Sequence, residues 1–136
     1  MNSAYAATGI WILRILAAII LLQTLFFKFS AAPESVYIFS KIGMEPWGRI
    51  ATGVMELIAS VLILIPATTL FGAMIGAGLM AGAIFFHITR LGIPVQNDGG
   101  QLFLYALIVL LSCIAIIIIR REELDALIQS ITKRSI

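Results

Sequence analysis

The sequence has little charge for its length. Only 12% of its 136 residues are Asp, Glu, Lys or Arg, whereas 61% are hydrophobic and the mean hydropathy is +1.08. A soluble domain needs about 25% charged residues to cover its surface with polar groups, so this composition excludes a soluble globular fold. The net charge of +2 is too small to indicate a nucleic-acid partner. The sequence therefore predicts that a lipid bilayer surrounds much of the protein.

Residue types that carry thiol, metal or phosphate chemistry are also scarce. Cys113 is the sole cysteine, so neither an intrachain disulfide nor a CxxC redox pair can form. His87 is the sole histidine, which argues against a bis-histidine haem, and the carboxylates give no metal-ligand pattern. No Gly-rich phosphate loop, GxSxG elbow or HExxH motif is present. We predict no metal and no covalently bound cofactor, and no motif identifies a catalytic residue.

Four apolar segments are close to the length that crosses a bilayer, about 17–25 residues. A β-barrel would alternate apolar and polar residues, so we expect helices. The first segment is interpreted as a retained span, because no Lys or Arg precedes it and Arg14 lies inside it. The prediction is an all-α fold, an antiparallel bundle of four transmembrane helices in a single membrane domain over residues 1–136. The predicted spans are about 9–27, 48–66, 69–88 and 101–119.

Two further helices are predicted outside the spans. Pro33 is suited to the first position of a helix and Gly43 to its end, which predicts a short amphipathic helix between the first two spans. Residues 120–136 form a polar tail that is expected to continue as a helix. Its Arg120–Arg121 pair stands directly at a helix end, where the positive-inside bias is strongest, so we expect cytoplasmic termini.

Small residues recur along the third span. Gly72 and Gly76 form one small-xxx-small pair, and Gly78 and Gly82 form another. Such pairs let helix backbones approach closely in lipid, which supplies no hydrophobic drive for association. Both pairs are therefore expected to pack tightly against neighbouring helices.

The polar side chains within the spans converge at one depth. A charged group at membrane depth costs at least about 2.5–3.5 kcal/mol, so such groups should face the bundle interior. With a rise of about 1.5 Å per residue, most of them fall near the end of the bundle away from the termini. Arg14 belongs to the other half and reaches inward only through its long side chain. The predicted polar pocket consists of Arg14, Gln23, Lys28, Glu56, His87 and Tyr105.

Two interpretations of this pocket remain open at the level of sequence. Glu56 can pair with Arg14 or Lys28 and lock helices together, while Lys28, His87 and Tyr105 serve as interfacial residues. Alternatively, an acid, a base and an imidazole in one apolar cavity can bind and protonate a small polar headgroup, because burial shifts such pKa values towards neutrality.

The segments GVMELIASVLILIP and FGAMIGAGLMAGAIFFHITRLG, with Arg14 and LQTLFFKF in the first span, resemble the DoxX-like family of small membrane proteins. The shared pattern has an Arg early in the first span and a Lys at its end. The second span contains a Glu and ends at a Pro, and the third span is rich in small residues and ends with a His. This resemblance implies a four-helix bundle in a bacterial inner membrane. One named relative is the membrane subunit of a thiosulfate:quinone oxidoreductase, and others are linked to oxidative-stress complexes.

Three functions follow as hypotheses. The resemblance favours a quinone-interacting or redox-associated membrane subunit, with quinone as the expected ligand and with electrons exchanged through a partner or a reductant. The alternative is a non-enzymatic anchor or scaffold that holds a protein partner or a second copy of the chain. A small transporter is the third, but the sequence shows no broken helices of the kind that transporters use.

Overall fold

The computed structural model describes residues 3–135, and within that range the chain forms six α-helices and no strand. A short 3₁₀ turn at Pro66–Thr68 joins the third helix to the fourth, and a π-helical turn at His87–Leu91 extends the fourth. The helices are α1 (Ser3–Phe29), α2 (Pro33–Lys41), α3 (Trp47–Leu64), α4 (Thr69–Phe86), α5 (Gln101–Ile119) and α6 (Arg121–Arg134).

Four helical segments in the described part of the chain are long and apolar enough to cross a membrane. They are Ala4–Phe29, Trp47–Leu64, Pro66–Leu91 and Gln101–Ile119. The short helix α2 lies between the first two, and Pro33 is its first residue. The predicted all-α bundle of four membrane-spanning helices, with a short helix between the first and second, is therefore confirmed.

The four spans form a closed ring. Helix α1 packs against α3 and α5, and α4 packs against the same two helices from the opposite side. Successive spans run in opposite directions, so both described chain ends lie at one end of the bundle, which we call the near end; the other is the far end. Small and branched side chains fill the centre, among them Ala17, Leu21, Ile63, Val109 and Ile116.

The two glycine pairs of α4 have different surroundings. A Cβ atom on Gly72 would lie 2.5 Å from the backbone nitrogen of Ile63, and one on Gly76 would lie 2.9 Å from the Cys113 sulfur. This pair is required for close approach, as predicted. A Cβ atom on Gly78 or Gly82 would meet nothing within 4 Å. The prediction of tight packing was wrong for the second pair, because spacing alone does not say whether a neighbour faces it.

Arg14 lies at the near end and not in the predicted pocket. Its side chain is 1% exposed. Its Nε donates to the carbonyl of Ile63 and its Nη2 to that of Leu64, both at 2.8 Å. The guanidinium carbon also lies 3.6 Å from the ring centroid of Trp11. Arg14 therefore caps the C-terminus of α3, where a cation meets the negative end of the helix dipole.

The rest of this helix end is capped by other side chains. Pro66 has no N–H, so the carbonyl of Leu62 loses its helical donor and instead accepts a 2.9 Å hydrogen bond from the Thr68 hydroxyl. The carbonyl of Pro66 in turn accepts a 2.7 Å hydrogen bond from Arg120, which follows α5. Side chains from α1 and from the end of α5 thus meet at the turn between α3 and α4, so this turn joins all four spans at the near end.

Candidate functional site

A cavity of about 530 Å³ occupies the far end of the bundle. All four spans, α2 and the loop before α5 contribute to its walls. Five of the six residues predicted for the polar pocket line it, and Arg14 does not. The five are Gln23, Lys28, Glu56, His87 and Tyr105.

A buried ion pair joins α1 and α3 at the cavity wall. Lys28 Nζ lies 3.0 Å from Glu56 Oε2, and the two side chains are 14% and 4% exposed. The hydroxyl of Thr24 lies 3.1 Å from the same carboxylate oxygen and 2.7 Å from the carbonyl of Leu21, and its one proton is shared between these two acceptors. Of the two partners considered for Glu56, the structure selects Lys28. Because Oε2 takes both contacts, Oε1 is left as a free acceptor within the described structure.

His87 is held in one orientation by the backbone. It is 5% exposed and begins the π-helical turn, a local widening that often occurs at functional sites. Its Nδ1 lies 2.9 Å from the carbonyl of Gly92, and a carbonyl can only accept, so Nδ1 carries the proton. Among the described residues nothing hydrogen-bonds to Nε2. His87 lines the cavity, and Nε2 is the ring nitrogen that remains available to a ligand.

Asp98 organises the loop that precedes α5. Its carboxylate accepts hydrogen bonds from the backbone nitrogens of Val95, Gly100 and Leu102 at 2.9, 2.8 and 3.2 Å. Burial alone would raise the pKa of Asp98, but these three backbone donors outweigh it and hold the pKa below its ordinary value. An anion is thereby fixed at the N-terminus of α5, which is the favourable end of the helix dipole.

Amide and phenol groups complete the polar part of the cavity. Gln101 donates a 2.7 Å hydrogen bond to the hydroxyl of Tyr105, one turn further along α5. Gln23 is exposed on α1 and makes no hydrogen bond to any described residue. The cavity therefore offers acceptors, donors and a fixed cation–anion pair, which suits a small polar group that carries hydroxyl or carbonyl oxygens.

Three residues that shape the site were missed at the level of sequence: Thr24, Arg49 and Asp98. Thr24 precedes Lys28 by four residues and so shares its face, which is a usable signal. Arg49 forms an ion pair with Glu45, Nη2 to Oε1 at 3.0 Å, and its Nη1 donates to the carbonyl of Lys28. It thereby holds the end of α1 against the start of α3, a link that its i, i+4 spacing from Glu45 does not reveal.

Four membrane-spanning helices around a polar cavity at one end define a multi-pass membrane protein. The chain belongs to the DoxX-like family, whose model matches residues 12–116. That range includes every residue of the predicted pocket and the whole of the cavity wall. A search of curated proteins found no match to the chain, and a search of solved structures found none either.

Proposed function

We propose that the far-end cavity binds the headgroup of a membrane quinone, and that the protein acts as a quinone-interacting subunit of a redox system. One observation supports this most directly: His87, whose Nε2 has no hydrogen-bond partner among the described residues, lines the same cavity as the Lys28–Glu56 pair. A quinol carries two hydroxyl donors and a quinone two carbonyl acceptors. Both kinds of group have a counterpart in this cavity.

The geometry suits both oxidation states of the ligand. Nδ1 of His87 donates to Gly92, which leaves Nε2 for a ligand oxygen. Nε2 accepts from a quinol hydroxyl when it carries no proton and donates to a quinone carbonyl when it carries one. The Oε1 of Glu56 is a second acceptor, and Lys28 has further N–H groups for a ligand oxygen. When bound, the quinone supplies two-electron chemistry, while these residues orient it and hold its protons. Electrons then pass to or from a partner protein or a small reductant.

Mass spectrometry of lipid extracts from protein purified in mild detergent tests this proposal. We expect stoichiometric quinone in the wild type and its loss in Glu56→Gln and His87→Asn. The asparagine amide can retain the hydrogen bond to Gly92 while it removes the Nε2 acceptor. The matched control is Glu45→Gln, which weakens an ion pair of the same type outside the cavity wall and should retain quinone. Wild-type protein that contains no quinone, and binds none when it is added, would overturn the proposal.

A second function, that of an anchor or scaffold, is favoured by α6. This helix lies outside the spans and exposes Ile128 and Ile131, which are 53% and 60% exposed, on its apolar side. A protein partner or a second copy of the chain could cover them. If this is the main function, the double variant Ile128→Ser, Ile131→Ser will abolish co-purification of the partner or dissociate the oligomer. The amount of bound quinone will be the same in the wild type and the variant, or quinone will be absent from both.

We further propose a bacterial inner membrane location with cytoplasmic termini. Within the described structure two far-end cations, Lys28 and Arg49, have ion-pair partners and two, Lys41 and Arg90, have none. At the near end three cations have no ion-pair partner among the described residues: Arg121, Lys133 and Arg134. The free positive charge therefore favours the near end as the cytoplasmic side. A fluorescent protein that matures only in the cytoplasm, fused to the C-terminus, should fluoresce; a dark fusion that is inserted in the membrane would reverse the orientation.

A further inference from the structure

Two adjacent rows of residues on α4 line the cavity. In each row the residues are four positions apart, so each row follows one ridge of the helix. Both rows start beside the π-helical turn and run back towards the near end. The first is His87, Ala83 and Leu79, and the second is Phe86, Gly82 and Gly78.

Two of the three residues in the second row are glycines, so this row leaves open space where side chains would otherwise lie. Neither Gly78 nor Gly82 would bring a Cβ atom within 4 Å of any other group, although both line the cavity. Gly78 is also an exposed residue, whereas Gly82 is half-buried. An exposed residue in a cavity wall indicates that the cavity is open at that position, so we infer an opening at Gly78.

This opening lies at the middle of the membrane. The span containing Gly78 runs from Pro66 to Leu91, which places Gly78 about 18 Å from one end and about 20 Å from the other at 1.5 Å per residue. At that depth the surroundings of the bundle are acyl chains and not water. An apolar group can occupy such an opening, whereas a charged or strongly hydrated one is excluded.

The polar and apolar ends of the cavity are far apart. Nine residues separate His87 from Gly78, which corresponds to about 13 Å along α4. A single headgroup does not fill that length. His87 is 5% exposed and lines the cavity, and no described residue hydrogen-bonds to its Nε2, so the polar end of a ligand would bind there. A ligand that fills both ends needs an oxygen-bearing headgroup joined to a long hydrocarbon tail.

We propose that Gly82 and Gly78 form a groove for the hydrocarbon tail of the ligand whose headgroup lies at His87, Lys28 and Glu56. The ligand class is a membrane-soluble quinol with an isoprenoid or alkyl tail, taken up sideways from the bilayer. This inference rests on the proposed headgroup site. The new element is the role of the tail: its contact with two glycines, which lie far from any polar group, determines which ligands bind tightly.

Bulky substitutions in the groove test the inference. Gly78→Leu and Gly82→Leu place a branched side chain where a Cβ atom meets nothing, so the fold should tolerate them. The matched control is Ala81→Leu, on the same helix, exposed and outside the cavity wall. The probes are two quinols with one headgroup, one with a long isoprenoid tail and one with no tail. Affinities are measured by titration in detergent micelles, followed by quenching of tryptophan fluorescence.

We expect the leucine variants to bind the tailed quinol roughly tenfold more weakly than the wild type, because even two methylenes displaced from apolar contact account for that factor. Binding of the tail-less quinol should stay within about twofold of wild type, and Ala81→Leu should change neither affinity. Equal affinity of wild type and leucine variants for the tailed probe, with the tail-less probe still bound, overturns the groove alone. Failure of the wild type to bind either probe overturns the headgroup site and the groove together.

Discussion

Replacing Arg14 with alanine removes the cap of α3 and should destabilise the protein without affecting the far-end cavity. The side chain is 1% exposed and donates two 2.8 Å hydrogen bonds, to the carbonyls of Ile63 and Leu64. In the variant the Ile63 carbonyl still has the Thr69 hydroxyl at 3.0 Å, but it shares that one proton with the carbonyl of Ile65 at 2.9 Å. The Leu64 carbonyl has no second donor among the described residues.

The size of the effect follows from these contacts. A hydrogen bond from a charged donor contributes about 1.5–3 kcal/mol, and a buried polar group left unpaired costs about 1–3 kcal/mol. With part of the loss offset at Ile63, we expect Arg14→Ala to lower the free energy of unfolding by about 3–5 kcal/mol. Arg14→Lys should lose about half as much, because a single ammonium keeps the charge but cannot bridge both carbonyls in the same geometry.

Unfolding by SDS in mixed micelles, followed by loss of helical circular dichroism, measures these differences. Arg121→Ala is the control, since this arginine is exposed on α6, and it should change stability by no more than about 0.5 kcal/mol. The quinone content of each sample is measured in parallel. An Arg14→Ala protein of wild-type stability would refute the capping role. If that protein had also lost its ligand, Arg14 would belong to the cavity after all.

Two further predictions concern the cavity wall. Lys28→Met and Glu56→Gln should each lower the free energy of unfolding by about 3–5 kcal/mol, because each leaves a buried partner behind. The double variant should lower it by clearly less than the sum of the two single losses. Strictly additive losses in SDS unfolding would show that the pair contributes no coupling. Asp98→Ala should lower stability by about 1 kcal/mol through loss of its contacts at the start of α5. Because folding lowers the Asp98 pKa, this contribution is complete above the ordinary value of 3.8 and disappears as the pH falls through the lowered pKa. A wild-type-minus-variant stability difference that persists unchanged under strongly acidic conditions would contradict the assignment.

Most of the fold was predictable because the bilayer imposes it. Hydropathy locates the four spans, since any backbone that crosses lipid must satisfy its own hydrogen bonds. Pro33 marks the start of α2, since proline fits the first position of a helix. The packing of α4 was only half predictable. Gly72 and Gly78 look equivalent in sequence, but Gly72 is packed against the α3 backbone and Gly78 has no neighbour.

The site was predictable where the depth of a polar residue in the membrane determines which other polar residues it lies near. Lys28, Glu56 and His87 lie at one depth, and all three line the cavity. For Arg14 the depth was inferred correctly, but its partners were not. It binds backbone carbonyls, which every helix end exposes and which leave no trace in the identity of the neighbouring residues. Asp98 was missed for the same reason, because its partners are backbone N–H groups.

The capped turn between α3 and α4 has a mechanical consequence. Within the described structure, the side-chain hydrogen bonds that join α3 to this turn and to α4 all lie at the near end, at Thr68 and Thr69. Away from the near end, at Gly78, a Cβ atom on α4 would meet nothing within 4 Å, so this part of α4 is held less firmly than the part beside the turn. We therefore expect the surrounding lipid to influence the position of α4 more at Gly78 than at its near end.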